Sequence, residues 1–317
     1  MEQHARPKKK VASIEADQRS LKLHILPKLG DIEVSYLTLE RITRWHRGLA
    51  RTPARLRTRK GAPQNYREVS DDPDAQRRRR ATANRVLAIL KAGLNFALAQ
   101  GKVQCDGRAW REARPFKGVD AAKIRYLKDD EVTRLVNACQ PDLRQIVTAA
   151  LLTGSRYGEL TRVRVEDFDS DARILHVTEA KGGRPRVNYL TDEGVRFFEN
   201  ATFGKEHGDL IFRKASGTKW KHANQFRPLK EACEAAYIRP AVSFHVLRHT
   251  HGSRLAMKGV PMAVIAAQLG HADTRMTERH YAHLSPSFVA DTVRAALGSL
   301  GIVEEDNVTP LRGSSSR

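Results

Sequence analysis

The chain has 317 residues, enough for two domains, and its 56 Lys and Arg residues outnumber 36 Asp and Glu, which gives a formal net charge of +20. No run approaches the roughly 18 apolar residues of a membrane span, and no apolar stretch follows the charged N-terminus, so we expect neither membrane insertion nor a secretory signal. The lack of a signal leads us to expect a location in the cytoplasm, and the surplus of cations indicates a polyanionic partner, nucleic acid.

The N-terminal third is predicted to be mainly helical. Residues 1–12 are polar and basic, and we expect them to form a flexible lead-in. Residues 13–105 follow as a small all-helical domain, in which apolar residues recur at helical spacing from Leu39 to Leu49, behind Thr38 as the N-cap.

A stretch rich in proline, glycine and arginine interrupts this domain at 51–80, and we expect a loop or an extended excursion there. The stretch ends in four consecutive arginines, Arg77, Arg78, Arg79 and Arg80, which are candidate DNA-binding residues. Apolar residues between Val86 and Leu98 then mark a strong helix that Gly101 ends.

Residues 106–125 are irregular and basic, which predicts a linker, and residues 126–299 form a second domain followed by a polar tail at 300–317. Runs of alternating apolar residues predict strands at 173–178 and 186–190 within this domain. Helical spacing predicts helices at 129–139, 142–152, 222–237, 243–258, 261–269, 275–283 and 286–298. The whole pattern predicts a mainly α fold with a small β-sheet.

Several side chains in the second domain suit chemistry on a phosphodiester. Arg156 follows Thr-Gly-Ser at a predicted helix start, where a guanidinium and free backbone N–H groups can bind phosphate; the alternative is a surface salt bridge with Glu159. His245 and Arg248 stand three positions apart on one helix, so they can bind a phosphate oxygen and move a proton; the alternative for His245 is a hydrogen-bonded core histidine.

Two further residues could take part. Lys181 lies in a Gly-rich turn between the two predicted strands, where a lysine can act as proton donor or can simply be solvated. Tyr281 could attack phosphorus if cations or a base help its phenol, or it could pack at a helix edge. The three cysteines, Cys105, Cys139 and Cys233, lie too far apart in sequence to indicate a disulfide framework or a zinc site.

Five short motifs follow one another along the second domain: Thr153-Gly154-x-Arg156-x-Gly158-Glu159, Lys181-Gly182-Gly183, His245-x-Leu247-Arg248-His249-Thr250, Leu269-Gly270-His271 and Tyr281-Ala282-His283-Leu284. In this order they resemble the tyrosine recombinase (phage integrase) family over about 125–290. The segment from Leu23 to Gly30, with the helices to residue 100, resembles that family's SAM-like, helical core-binding domain. The resemblance implies an α+β catalytic domain that closes with the core-binding domain into a C-shaped clamp on DNA.

The resemblance also implies a reaction, site-specific cutting and rejoining of DNA strands. Arg156 and Arg248 would bind the non-bridging oxygens of the scissile phosphate, where two guanidiniums stabilise a pentacoordinate transition state. Tyr281 would attack phosphorus and form a 3′-phosphotyrosine link, and Lys181 would protonate the departing 5′-oxygen. His245 would assist proton transfer with the tyrosine or the phosphate.

The remaining roles follow from the same resemblance. His271 would hydrogen-bond a phosphate oxygen, Glu159 would support Arg156, and Arg184, beside Lys181, would contact DNA. No metal or other cofactor is implied. The partner would be double-stranded DNA, held by four protomers on paired sites, with an accessory directionality factor or a DNA-bending protein as a possible further partner.

Two points stay open from the sequence. The path from His271 to Tyr281 is ten positions, one longer than the commonest family pattern, and the turn near Ala272–Arg275 is expected to absorb the extra residue. Xer-like dimer resolution and strand cleavage like that of a type IB topoisomerase would use the same residues. A non-catalytic DNA-binding regulator is a further alternative, because Val260–Gly270 resembles part of a helix-turn-helix.

Overall fold

The computed structural model describes residues 11–59, 61–68, 70–119, 125–178 and 185–284. The chain divides into two compact units, Met1–Ala122 and Lys123–Arg317. The turn predicted to carry Lys181 and Arg184, the helix predicted at 286–298, the tail at 300–317 and residues 1–10 of the lead-in lie outside the described residues.

The first unit is helical. Its helices are α1 (Val11–Ser20), which a π-helical turn (Leu21–Ile25) joins to α2 (Leu26–Leu29), then α3 (Leu39–Arg51), α4 (Pro73–Ala99) and α5 (Arg108–Glu112). Thr38 caps α3 as predicted, with its hydroxyl accepting the Arg41 amide at 3.2 Å. Helices α3 and α4 pack together through a buried core that includes Ile42, Leu87 and Leu90.

The prediction of an irregular stretch through Arg80 was wrong for its last eight residues, because α4 already begins at Pro73. The carboxylate of Asp72 accepts the amides of Asp74 and Ala75, each at 3.1 Å, and Pro73 supplies the fixed φ of a first helical residue. The arginine run therefore lies on a helix. The segment before α4 is extended, and its backbone hydrogen bonds run from the Leu56 amide to the Asn65 carbonyl and from the Arg67 amide to the Ala54 carbonyl.

The predicted linker contains helix α5, which packs into the first unit. Trp110 of this helix is only 1% exposed and belongs to the core that α3 and α4 form. Its indole Nε1 donates to the Asn95 side chain of α4 at 2.8 Å, which satisfies the buried polar end of the ring.

The second unit combines helices with one small sheet. The elements are α6 (Asp129–Ala138), α7 (Pro141–Thr153), α8 (Tyr157–Leu160), β1 (Phe168–Asp169), β2 (Ile174–Val177), β3 (Arg186–Tyr189), α9 (Asp192–Thr202), α10 (Phe226–Ala235), α11 (Phe244–Met257), α12 (Met262–Leu269) and α13 (Thr274–Tyr281). The strands are antiparallel in the order β1-β2-β3, with Val177 opposite Arg186. Both predicted strands are confirmed, whereas β1 was missed because two residues leave no alternation to detect.

Helices α7 and α11 pack against each other at the centre of this unit. Apolar residues of both helices, among them Ile146 and Leu247, are fully buried together with Leu175 of β2 and Phe198 of α9. The packing fixes the ends of α7 and α11, from which the candidate site residues project. Among the described helices, none is long and apolar enough to cross a membrane.

Candidate active site

The turn after α7 brings the chain against α11 and α12. Gly154 has φ +65°, and a Cβ at this position would lie 2.7 Å from Leu269 and 2.8 Å from the ring of His251. Only glycine fits both the left-handed backbone and this close approach. The turn then delivers Arg156 as the N-cap residue of the short helix α8, as the sequence predicted.

Arg156 belongs to a chain of charges in which Glu159 lies between two arginines. The Arg156 Nη1 donates to Glu159 Oε1 at 2.8 Å, and Arg186 Nη2 donates to Glu159 Oε2 at 2.8 Å. Burial raises the pKa of the Glu159 carboxyl, but the charges of Arg186 and Arg156 and the hydrogen bonds from Arg156 outweigh it and hold this pKa below its usual range. The carboxylate is therefore ionised, and it fixes the orientation of both guanidiniums.

Arg248 is buried on α11 at 2% exposure. Its guanidinium donates to the carbonyls of Gly154 at 2.8 Å and of Leu269 at 2.5 Å, so it ties the turn before Arg156 to the end of α12. Burial, and then the positive charges of Arg156 and Arg186, lower the pKa of Arg248. The three guanidiniums are therefore close enough to interact electrostatically. Such a cluster favours a dianionic or highly polar ligand.

A buried polar network that no sequence motif predicted supports the arginines. Asn188 of β3 accepts a hydrogen bond from the Ser155 hydroxyl at 2.8 Å and donates to the carbonyls of Thr153 and Gln268 at 2.9 and 2.8 Å. Arg186 of the same strand also donates to the Gln268 carbonyl at 2.9 Å. The signal in the sequence is Asn188, a polar residue at a buried position of a strand with alternating burial. A buried polar side chain requires hydrogen-bond partners.

His271 follows α12 and faces the same cluster. Its Nδ1 shares a 2.7 Å hydrogen bond with the hydroxyl of Thr277, a residue of α13. Burial, followed by the charges of Arg248 and Arg156, lowers the pKa of His271 to about 4, so the ring is neutral at pH 7. Asp273 caps α13 by accepting the Arg275 amide at 3.0 Å.

The long path from His271 to Tyr281 thus consists of two bent residues, Ala272 and Asp273, followed by α13. The bond between His271 and Thr277 ties the two ends of the path together.

Tyr281 is the last residue of α13 and is only 1% exposed. Its ring packs with Ile265 and Leu269 in a separate apolar cluster, so it occupies the core rather than a helix edge. A Cβ at Gly252 would lie 2.6 Å from its ring, which leaves room there for glycine alone. Burial raises the pKa of Tyr281 to about 12, although the charge of Arg248 opposes the rise.

The hydroxyl of Tyr281 shares a 2.8 Å hydrogen bond with Nδ1 of His249, a residue that the sequence analysis quoted within a motif but gave no role. His245 lies one turn earlier on α11, is exposed, and contacts the ring of His249 edge-on at 4.4 Å between centroids. The structure thus brings Arg156, Glu159, Arg248, His271 and Tyr281 together with Arg186 and His249. It does not describe Lys181 or Arg184.

In the first unit, the four arginines of α4 differ in their contacts. Arg79 donates to the carbonyls of Thr52 and Leu49 at 2.7 and 3.0 Å, and Arg77 pairs with Asp74 and donates to the Val119 carbonyl. Arg78 pairs with the acidic residues at the start of α4, and Arg80 lies over the ring of Phe116. A groove of about 790 Å³ is lined by six arginines: Arg47, Arg51, Arg67, Arg78, Arg79 and Arg80.

The fold is shared with solved integrase structures. The chain aligns with the Tn1549 transposon integrase in complex with a circular intermediate DNA at a TM-score of 0.68 and 15% identity, over 93% of this chain and 96% of that one. It aligns with a lambda integrase (75–356) dimer bound to a COC′ core site at a TM-score of 0.66 and 18% identity, over 86% of this chain and 89% of that one. The predicted mainly α fold with a small sheet is confirmed.

Residues 125–287, more than half of the chain, match the model of the phage integrase family, and the chain belongs to that family. It is 28% identical to the tyrosine recombinase XerA of Saccharolobus solfataricus over 54% of this chain and 56% of the relative. It is 28% identical to the integrase of Salmonella phage P22 over 54% of this chain and 47% of the relative. The chain therefore spans about half the length of these relatives.

Proposed function

We propose that this protein is a site-specific DNA recombinase that cuts and rejoins strands through a 3′-phosphotyrosine intermediate. The observation that carries this proposal is the convergence of residues from separate segments: Arg156 after α7, Arg248 on α11, His271 after α12 and Tyr281 at the end of α13. Membership of the phage integrase family supports the same reaction.

The two arginines would bind the scissile phosphate. Arg156 is 30% exposed and Glu159 fixes its guanidinium, so it can meet an incoming phosphate with little loss of side-chain entropy. Arg248 is deeper, and its buried charge acts at low dielectric on the charge that develops at phosphorus. Removal of either guanidinium is expected to slow cleavage by ~10²–10³-fold.

The reaction exchanges one phosphodiester for another. The Tyr281 oxygen forms a bond to phosphorus, the bond from phosphorus to the 5′-oxygen breaks, and Lys181 protonates the leaving oxygen. His245 and His271 would assist around the phosphate. Because Tyr281 is buried with its hydroxyl bonded to His249, cleavage requires that DNA binding bring the phosphate and this hydroxyl into contact.

The rest of the predicted assembly belongs to the same proposal. The arginine-lined groove of the first unit would bind DNA phosphates, with Arg78, Arg79 and Arg80 as its contributors from α4. Arg77 and Arg79 also anchor the helix through backbone carbonyls. The two units would close on DNA as a clamp, Arg184 would contact DNA, and four protomers would act on paired sites. A solved lambda integrase tetramer is bound to a Holliday junction, which supports this stoichiometry. Acting on DNA, the protein would work in the cytoplasm on the nucleoid.

The test is covalent trapping on DNA. Fragments from the host replicon are incubated with the wild type, and denaturing gels detect protein–DNA adducts. Tyr281→Phe should bind DNA with unchanged affinity and form no adduct, because only the nucleophilic oxygen is removed. Tyr237→Phe, at a site 84% exposed, is the matched control and should form adduct like the wild type. An adduct that persists in Tyr281→Phe would assign the nucleophile elsewhere and overturn the proposal.

A further inference from the structure

His249 is the residue in hydrogen-bond contact with the nucleophile candidate. Its Nδ1 lies 2.8 Å from the Tyr281 oxygen, and the two ring centroids are 5.8 Å apart. A general base must lie within such reach of the proton that it removes.

His245, the histidine that the sequence motif favours for proton transfer, has a different position. It is exposed one turn earlier on α11, and its ring contacts the ring of His249 edge-on, 4.4 Å between centroids. The i, i+3 spacing places His245 near the face of Arg248, where it can meet the phosphate. His249, the residue that follows Arg248, points towards α13, where its Nδ1 contacts the Tyr281 hydroxyl.

We propose that His249, rather than His245, receives the hydroxyl proton of Tyr281 when the tyrosine attacks the scissile phosphate. This inference rests on the recombinase function proposed above. In the forward step the proton passes from the Tyr281 oxygen to Nδ1 of His249 while the new bond to phosphorus forms. The bond to the 5′-oxygen breaks, and that oxygen takes a proton from Lys181. In the rejoining step the imidazolium returns its proton to the tyrosine oxygen.

The surroundings of His249 keep its ring neutral, as a proton acceptor must be, and make it a weak base until a phosphate binds. Burial, followed by the positive fields of His245, His280, Arg248 and His271, lowers the pKa of His249 to about 3, so the ring is neutral at pH 7. A neutral ring protonated at Nε2 offers Nδ1 as an acceptor. The negative charge of a bound phosphate offsets these cationic fields and stabilises the imidazolium as it forms. The same low basicity favours return of the proton when strands rejoin.

The experiment separates nucleophile activation from leaving-group protonation. His249→Gln and His249→Asn are compared with the wild type on ordinary DNA and on DNA with a 5′-bridging phosphorothiolate, whose sulfur leaves without a proton. At pH 7 both variants should cleave both substrates ~10²–10³-fold more slowly than the wild type, with DNA affinity unchanged. Lys181→Ala should be slow on ordinary DNA and restored on the phosphorothiolate, because its defect lies on the leaving-group side.

The pH profile supplies a second readout that a structural role would not change. Raising the pH from 7 to 9.5 should restore cleavage by the His249 variants by up to about tenfold per unit, because the tyrosine then ionises without an acceptor. His176→Gln, an exposed histidine on β2, is the matched control and should follow the wild-type profile.

Three results would overturn the inference: wild-type rates in His249→Gln or His249→Asn, restoration of these variants by the phosphorothiolate, or a deficit that is independent of pH. If His249→Gln does not fold, the cleavage rates and pH profile of His249→Asn test the inference, because the smaller side chain of asparagine fits more easily into the packed cluster. Failure of the proposed function looks different: the wild type would form no adduct on either substrate, or the adduct would survive in Tyr281→Phe.

Discussion

At the scale of single residues, buried charges decide the geometry of the candidate site. Glu159 is 3% exposed as a side chain and forms ion pairs with two guanidiniums, one of which, Arg186, is itself 9% exposed. A buried ion pair stabilises the fold little more than apolar packing would. Removing one partner, however, leaves an uncompensated charge in the protein interior, which is strongly destabilising. Glu159 therefore orients Arg156 while Arg186 keeps the carboxylate in place.

Replacing Glu159 with Gln should lower the free energy of unfolding by about 3 kcal/mol, because Arg186 and Arg156 then lose their shared counter-charge. Glu166→Gln is the matched control. Its carboxylate is 52% exposed and lies 3.9 Å from Arg164, so its loss should cost under ~1 kcal/mol. Urea unfolding of both variants measures the difference, and equal effects would contradict the structural role given to Glu159.

Three histidines should make the stability of the second unit depend on pH. Burial lowers the pKa of His251 and His271 to about 4 and that of His249 to about 3, whereas an unfolded histidine titrates near 6.5. Between about pH 4 and 6.5 the unfolded chain binds more protons, so their contribution is complete above pH 6.5 and is lost as the pH falls through this window.

Thermal unfolding between pH 7.5 and 4.5 should therefore show a falling midpoint below pH 6.5. His251→Asn should flatten the slope, because an amide can still donate to the Leu151 carbonyl, which His251 Nδ1 contacts at 2.9 Å, and does not titrate. Each histidine contributes at most ~1.4 kcal/mol per pH unit. An unchanged slope in His251→Asn would show that groups other than His251 control the acid sensitivity.

At the scale of elements, helix starts follow local chemistry that hydrophobic periodicity does not detect. The first two turns of α4 contain Pro73, Asp74 and arginines but no large apolar residue, so a search for an apolar stripe missed them. The pair Asp72-Pro73 carried the signal, because an aspartate N-cap before proline is a common helix start. At α3 a threonine cap stands directly before the apolar pattern, and this start was predicted correctly.

Asp72→Ala should lower the stability of the first unit by about 1 kcal/mol, because two amides of the first turn lose their acceptor. Asp71→Ala removes the same charge from the neighbouring position and should leave stability within about 0.5 kcal/mol of the wild type. Circular dichroism during urea titration compares the two variants. A larger loss in Asp71→Ala would mean that net charge, not the cap, stabilises this helix start.

At the scale of the whole molecule, the charge of +20 should dominate DNA affinity. Binding that neutralises several phosphates releases counterions, so the logarithm of the affinity should fall linearly with the logarithm of the salt concentration. Fluorescence anisotropy between 50 and 300 mM salt should give a slope of roughly −5 or steeper, as for at least six phosphate contacts. Paired Arg78→Ala and Arg80→Ala changes should reduce the slope by about one to two, and a flat salt response would contradict a phosphate-binding surface.

The family, the fold class and most of the candidate site residues could be predicted from the sequence. The family is recognised from residue types in a fixed linear order, as in Thr153-Gly154-x-Arg156 or Leu269-Gly270-His271. This order can be read from the sequence without any knowledge of contacts in the fold. Folding alone brings Arg186, Asn188 and His249 into the site and buries Tyr281, because their hydrogen bonds join residues that lie 27 to 82 positions apart in the sequence. Packing of α7 against α11 sets those contacts, and local propensity carries no information about them.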